Sequence, residues 1–215
     1  MILAIDTAGP WVSVAVGDRR GTTALDERLP AALNHNEELA RLVDRLLALA
    51  EIARPELMAV DVGPGSFTGT RVGVAFAVGL AQGWQLPVYC ASVFEIAATC
   101  APVAAKRVAV ALPIVRGAWC RSVLERGATG WHETALCEIA QEDVREGIGD
   151  IPLVVPWGHV PDAIKPAADW NPARALWQLA ASSDRGAAVA ARHVAVRYVG
   201  PSQAERNFYA RRGDS

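Results

Sequence analysis

The chain has few of the residues that build metal centres and disulfide frameworks. It holds four cysteines and four histidines among 215 residues. Cys90, Cys100, Cys120 and Cys137 show no C-x-x-C spacing, which argues against a zinc cluster or a disulfide scaffold and for reduced thiols in the cytosol. His35, His132, His159 and His193 are scattered with no His-x-x-x-His pair, so no metal site is expected. A run of about 18 uncharged apolar residues is also missing: the best candidate, Val72 to Leu86, is too short and contains three glycines. The apolar start Met1-Ile-Leu-Ala-Ile is broken by Asp6, with no basic stretch before it and no cleavage site after it, unlike a targeting segment. The expectation is a cytoplasmic protein without membrane association. Excess charge is lacking as well. The net charge is -2 and the pI about 6.1, so no broad basic face exists to grip nucleic acid unaided.

What is present is a core-forming composition, 52% hydrophobic and 20% charged, in a chain long enough for one large domain or two small ones. Met1 to Asp6 and Trp11 to Val16 read as a hairpin, and Thr22 to Leu29 as a third strand. Asn34 has the look of an N-cap with Glu37 in the capping-box position, opening a helix to about Ala53, before Pro55. Leu57 to Val62 reads as a buried strand, 70–83 as a second helix, Val88 to Cys90 as a strand and 93–100 as a third helix. Residues 101–105 (APVAA) form a plausible boundary. This divides the chain into a lobe over 1–104 and a second lobe with a polar tail over 105–215. In the second lobe 107–112, 118–125, 131–137 and 153–155 read as strands, 141–146 as a short helix and 195–199 as a closing strand. Asn171-Pro172 opens a helix to about Ser183. The tail after Gly200 is Arg-rich and reads as mobile. The strand and helix order of the first half recurs loosely in the second, an α/β duplication.

The most specific string is Gly63-Pro64-Gly65-Ser66-Phe67-Thr68-Gly69-Thr70-Arg71-Val72-Gly73, which joins a strand directly to a helix. Its glycines permit close backbone approach, and Ser66 and Thr68 are able to cap the helix. Two readings stand: an anion or nucleotide site at Gly63, Gly65, Ser66 and Thr68, or a tight turn that only docks the helix on the sheet. The P-loop lysine is absent, since Thr70 and Arg71 follow Gly69. Asp6 and Thr7 at the first turn pose the same choice, a metal- or water-holding acid near a nucleotide or ordinary turn residues. Catalytic residues: none are assigned. No Ser/His/Asp signature is present, His35 reads as a helix-entry residue, Cys90 as a small core residue, and Trp157, Trp170 and Trp177 as packing.

The string Met1-Ile-Leu-Ala-Ile-Asp6-Thr7, the hairpin 12–16, His35, and above all Gly63 to Gly69 with Arg71-Val72-Gly73-Val74 resemble the TsaB (YeaZ) family. Pro172-Ala-Arg-Ala-Leu176 and the 196–199 segment resemble it more weakly. The resemblance implies an α/β, actin-like (ASKHA, ribonuclease H-like) fold in two similar lobes. It also implies a role as accessory subunit in making threonylcarbamoyladenosine in tRNA, with a TsaD-like catalytic partner, a TsaE-like ATPase, and tRNA contacted only through the complex. No cofactor is required by this chain on that reading, with ATP or ADP entering at a complex interface. The chain departs from the family at 113–118 (PIVRGA), where two acids of an Asp-Ala-Arg-x-Gly-Glu-type turn are missing, at Thr70, often leucine, and in the tail.

Two helices carry more apolar surface than one lobe needs. On the first, Leu39, Leu42, Val43, Leu46, Leu47, Leu49 and Ala50 span an arc of roughly 180°, against about 100° for an ordinary surface helix. On the second, Val72, Phe76 and Leu80 form a bulky face expected to point inward, with small residues beside it. Arg71, Ala75, Val78 and Gln82 form a face with a single charge. Leu39, Val43, Leu46, Leu47, Arg71, Val74, Ala75, Val78 and Gln82 are the expected partner-binding set, with cover by the second lobe as the competing explanation. A stand-alone ASKHA-type ATP hydrolase or phosphotransferase, and a homodimeric interaction module, are the alternatives.

Overall fold

The computed structural model describes residues 1–22, 24–31, 35–114, 117–128 and 130–199. The expected cap Asn34, the departure at Val115 and Arg116, and the tail after Gly200 lie outside the described residues.

The alternating pattern of the first strands places one set of side chains on each face of a six-stranded sheet. β1 (Ile2–Asp6), β2 (Trp11–Gly17) and β3 (Ala24–Pro30) form an antiparallel meander, and β4 (Leu57–Asp61) and β5 (Pro87–Ala91) add in parallel. The order is β10-β5-β4-β1-β2-β3, closed by β10 (Val189–Ala190). On one face Leu3, Ile5, Val12, Val14, Met58 and Val60 pack with α1 (His35–Leu49) and α2 (Phe67–Trp84). On the other, Ile2, Ala4, Ala15, Leu57 and Ala59 meet Leu176, Trp177 and Ala180 of α4 (Pro172–Ser182).

A second sheet, order β8-β7-β6-β9, contains β6 (Arg107–Pro113), β7 (Trp119–Gly127), β8 (Gly130–Ile139) and β9 (Leu153–Val154). The antiparallel β6-β7-β8 run with β9 parallel to β6 repeats the β1-β2-β3 run with β4 parallel to β1. α3 (Val93–Ala98) follows the first sheet in sequence but covers the second, through Val93, Phe94 and Ala97. α4 follows the second sheet but covers the first, so the halves exchange helices. α4 is fixed there by Asn171, which caps Ala173 N–H and donates to Asp26 of β3 at 2.8 Å. The Trp177 indole occupies the space a Cβ on Gly17 would need, 2.3 Å away, and donates to Asp18 O at 3.0 Å.

Four expectations are corrected. α1 ends at Leu49, not near Ala53, because Glu51 is left-handed (φ 56). Glu51 N–H then bonds Ala48 O and Ile52 N–H bonds Leu47 O, a Schellman closure. α2 starts three residues early, at Phe67, because Ser66 is its cap. Residues 141–146 form i→i+3 turns rather than a helix, broken by left-handed Gly147 and Gly149, although Val144 and Ile148 still cover the outer face of the second sheet. Residues 195–199 are not a strand: the closing strand is β10, paired antiparallel with β5. Among the described residues no helix is long and apolar enough to cross a membrane.

Candidate functional site

β1 and β4 run side by side, and both end in an acid, so the turns that follow them meet. Ala8 O accepts Ser66 N–H at 2.7 Å, and Thr7 Oγ1 donates to Gly69 O at 2.7 Å. Each glycine of the motif faces an atom that leaves no room for a side chain. A Cβ on Gly65 would lie 2.3 Å from Ala8 O, one on Gly69 2.3 Å from Thr7 O, and one on Gly73 2.2 Å from Thr7 Oγ1. Gly63 is left-handed (φ 93), and its Cβ would lie 2.9 Å from Arg197 O. The glycine spacing is therefore accounted for by docking of the Thr7–Ala8 turn onto the start of α2. Asp6, Thr7 and Gly63 are buried, Gly65 is half-buried, and Ser66 and Thr68 are exposed. All six expected anion-site residues gather around this one junction, and Ser66 Oγ is engaged as a helix cap on Gly69 N–H at 3.2 Å.

Beneath the junction lie two carboxyls, Asp6 and Asp61, each 2% exposed. Burial raises the Asp6 pKa, opposed by hydrogen bonds from Asp61, Ser13 and the Ala8 amide. Burial first, then the Asp6 charge, pushes Asp61 well above the usual carboxylate range. Asp61 Oδ1 accepts Gly63 N–H at 2.7 Å. Sequence reasoning missed Asp61; the signal available was an acid closing each of two neighbouring apolar strands, MILAID and LMAVD.

The segment 194–199 straps the junction. Arg197 N–H donates to Val62 O at 2.7 Å. Its guanidinium pairs with Glu133 of β8, and Glu133 also accepts the Ser92 hydroxyl at 2.7 Å and the Ser122 hydroxyl at 3.0 Å. Ser92 caps α3 in a capping box with Glu95. One residue on, Tyr198 OH accepts Arg71 Nε–H at 2.7 Å. The Arg71 guanidinium lies 3.6 Å over the Phe67 ring, a cation–π contact. Phe67 and Tyr198 remain 44% and 46% exposed. Beside the β1–β2 turn, Trp157 of the second half packs against Gly9, 3.1 Å from where its Cβ would be, and edge-on to Trp11. Among the described residues, no three His, Cys, Asp or Glu side chains gather as metal ligands.

A family model described as "TsaD: tRNA N6-adenosine threonylcarbamoyltransferase" matches residues 30–117. The chain is 38% identical over 89 residues to the tRNA threonylcarbamoyladenosine biosynthesis protein TsaB of Haemophilus influenzae, covering 40% of this chain and 37% of that protein. Its structure resembles YeaZ from Pseudomonas aeruginosa with a TM-score of 0.76 at 24% identity, over 92% of this chain and 99% of that one. The chain is similar to the TsaB/YeaZ proteins over about two fifths of its sequence and across its fold. Its fold is the actin-like one, shared also with the ethanolamine utilization protein EutJ of Carboxydothermus hydrogenoformans, at a TM-score of 0.51 and 12% identity over 84% of this chain and 88% of that one. Sequence matching spans about two fifths of the length of the curated TsaB relatives.

The expected partner-binding residues divide. Leu39, Val43, Leu46, Leu47 and Val74 lie in the chain's own core and offer no side-chain surface. The wide apolar arc of α1 is covered by the six-stranded sheet and α2, except at Leu49, which is 64% exposed. Arg71, Ala75 and Gln82 are exposed and Val78 is half-buried. The inward face of α2 is also corrected: it is the small one, Gly69, Thr70, Gly73, Val74, Ala77 and Ala81, because the helix lies directly on the Thr7–Ala8 turn. Val72, Phe76 and Leu80 are displaced to a half-buried flank. Along the exposed line run Ala75, Gly79 and Gly83, every fourth residue, and a Cβ on either glycine meets no described residue within 4 Å.

Proposed function

We propose that this chain acts in tRNA threonylcarbamoyladenosine biosynthesis as a non-catalytic accessory subunit that holds a TsaD-like transferase in its working arrangement. The carrying observation is the outer line of α2. A helical glycine costs about 1 kcal/mol relative to alanine, and Gly79 and Gly83 have no neighbour among the described residues to justify that cost. A line of small residues lets another helix approach closely, and Arg71 is the one charge on the eighteen-residue helix. The occupant is a helix of the TsaD-like subunit; a second copy of this chain is the alternative when the partner is absent. A TsaE-like ATPase joins the assembly, tRNA is reached through the complex, and any ATP or ADP enters at its interfaces. The stand-alone ATPase reading is disfavoured by two packing facts. The glycine loop is filled by the chain's own Thr7–Ala8 turn, and Trp157 sits against Gly9 beside it.

Reconstitution tests the proposal. The TsaD-like subunit, TsaE-like ATPase, tRNA and a source of threonylcarbamoyl-adenylate are assayed with and without this chain. The expected result is modification only when it is added and none by this chain alone. Equal modification without it overturns the accessory role.

A further inference from the structure

We infer that Asp6 and Asp61 share one proton in the native fold, and that this proton is a pH-sensitive lock on the glycine loop and the segment strapped across it. β1 and β4 are parallel neighbours in the register Ile5↔Val60, so the next residues of each strand, Asp6 and Asp61, stand side by side. Both carboxyls are sealed from solvent. Their polar atoms leave a matched deficit. Asp61 Oδ1 is occupied by Gly63 N–H, while Asp61 Oδ2 and Asp6 Oδ1 have no partner. A carboxylate only accepts, whereas a carboxylic acid also donates. One proton between these oxygens satisfies both atoms and removes the repulsion of two adjacent buried charges, the arrangement of a carboxyl dyad.

Among the described residues, no cation acts on either carboxyl. From β2 comes the Ser13 hydroxyl, from the first turn the Ala8 amide, and from the glycine loop the Gly63 amide. From α3 comes Glu95, which adds negative potential at Asp61. Behind Glu95 stand Glu133 and Arg197, which oppose one another there.

The lock acts through the backbone. Asp61 holds Gly63 N–H, Gly63 O accepts Val93 N–H at 3.1 Å at the start of α3, and Val62 O accepts Arg197 N–H. Losing the shared proton places two charges at the root of this set. Because the folded pair binds its proton more tightly than the unfolded chain does, the associated stability is present below the ordinary carboxylate range. It is lost as pH rises through the folded value. This is opposite in sign to ordinary acid denaturation.

The test combines carbon-13 NMR of the aspartate carboxyls in the wild-type chain with thermal unfolding and amide exchange from pH 5 to 9. One carboxyl should titrate far above the others. The melting temperature should fall with rising pH, and exchange at 62–70 and 194–199 should accelerate beyond its intrinsic pH dependence. Asp61→Asn and Asp6→Asn each replace the proton with an amide donor, and should flatten the melting profile across that range. Two carboxyls titrating independently near pH 4 overturn the proposal, as do Asn variants whose profiles parallel wild type. Stabilisation by magnesium that EDTA reverses, assigning the gap to a cation, overturns it too. If either variant fails to fold, the wild-type carboxyl titration alone decides.

Discussion

Gly73→Ala offers a sharp test of the junction, because helix propensity and packing predict opposite signs. In an exposed helix the substitution stabilises by about 1 kcal/mol. Here the new Cβ would lie 2.2 Å from Thr7 Oγ1, so Thr7 must rotate away and surrender its 2.7 Å hydrogen bond to Gly69 O. Breaking that bond in a buried site costs about 1–3 kcal/mol, and residual overpacking adds about 1–3 kcal/mol. The net is a destabilisation of roughly 1–5 kcal/mol, where each kcal/mol lowers Tm by about 2–4 °C in a chain of this size. Gly79→Ala is the internal control, with nothing within 4 Å of its Cβ, and should gain about 0.5–1 kcal/mol. Urea unfolding of both variants, and of Gly73→Ala combined with Thr7→Ala, gives the values. The double variant should lose less than the sum of its parts, since the clashing oxygen is gone. If Gly73→Ala proves as stable as Gly79→Ala, the account of the glycine spacing is wrong.

Three further outcomes are expected. Trp177→Ala empties the site against Gly17 and should cost about 3–5 kcal/mol, read by chemical unfolding; a loss under about 1 kcal/mol contradicts the exchange of helices between the two sheets. Calorimetry with ATP should give a dissociation constant far weaker than about 1 μM, roughly -8 kcal/mol, because the loop and the turn beside Trp157 are filled. Val78→Asp, on the half-buried edge of the exposed line, should leave the circular dichroism spectrum native. It should weaken binding of the TsaD-like partner by roughly 30-fold or more, from about 2–5 kcal/mol of lost burial and carboxylate desolvation.

Much of the fold was legible because its strands are short β-branched runs bounded by turn residues, and the duplicated strand order survived into both sheets. That 141–146 forms turns instead of a helix was not legible, since Val144 and Ile148 have helical spacing while the left-handed conformations of Gly147 and Gly149 are visible only in the backbone. The exchange of α3 and α4 between sheets rests on long-range fits such as Trp177 against Gly17, which no local pattern encodes. The glycine string was found, but its meaning lay in Thr7 and Ala8, nearly sixty residues away. Periodicity also misdirected α1 and α2. It measures how wide an apolar face is, not what covers it, and it ranks Phe76 above Gly73 as a core residue although contact with the turn selects the smaller side chain.

Gly79→Leu tests most directly whether the small-residue line on α2 receives a helix of a TsaD-like subunit. A Cβ at this position meets no described residue within 4 Å, so the variant should fold and melt no lower than wild type. Affinity for the TsaD-like subunit, measured by calorimetry, should drop at least ~10-fold, about 1.4 kcal/mol. Unchanged affinity with an intact fold would remove this helix line from the interface and contradict the account.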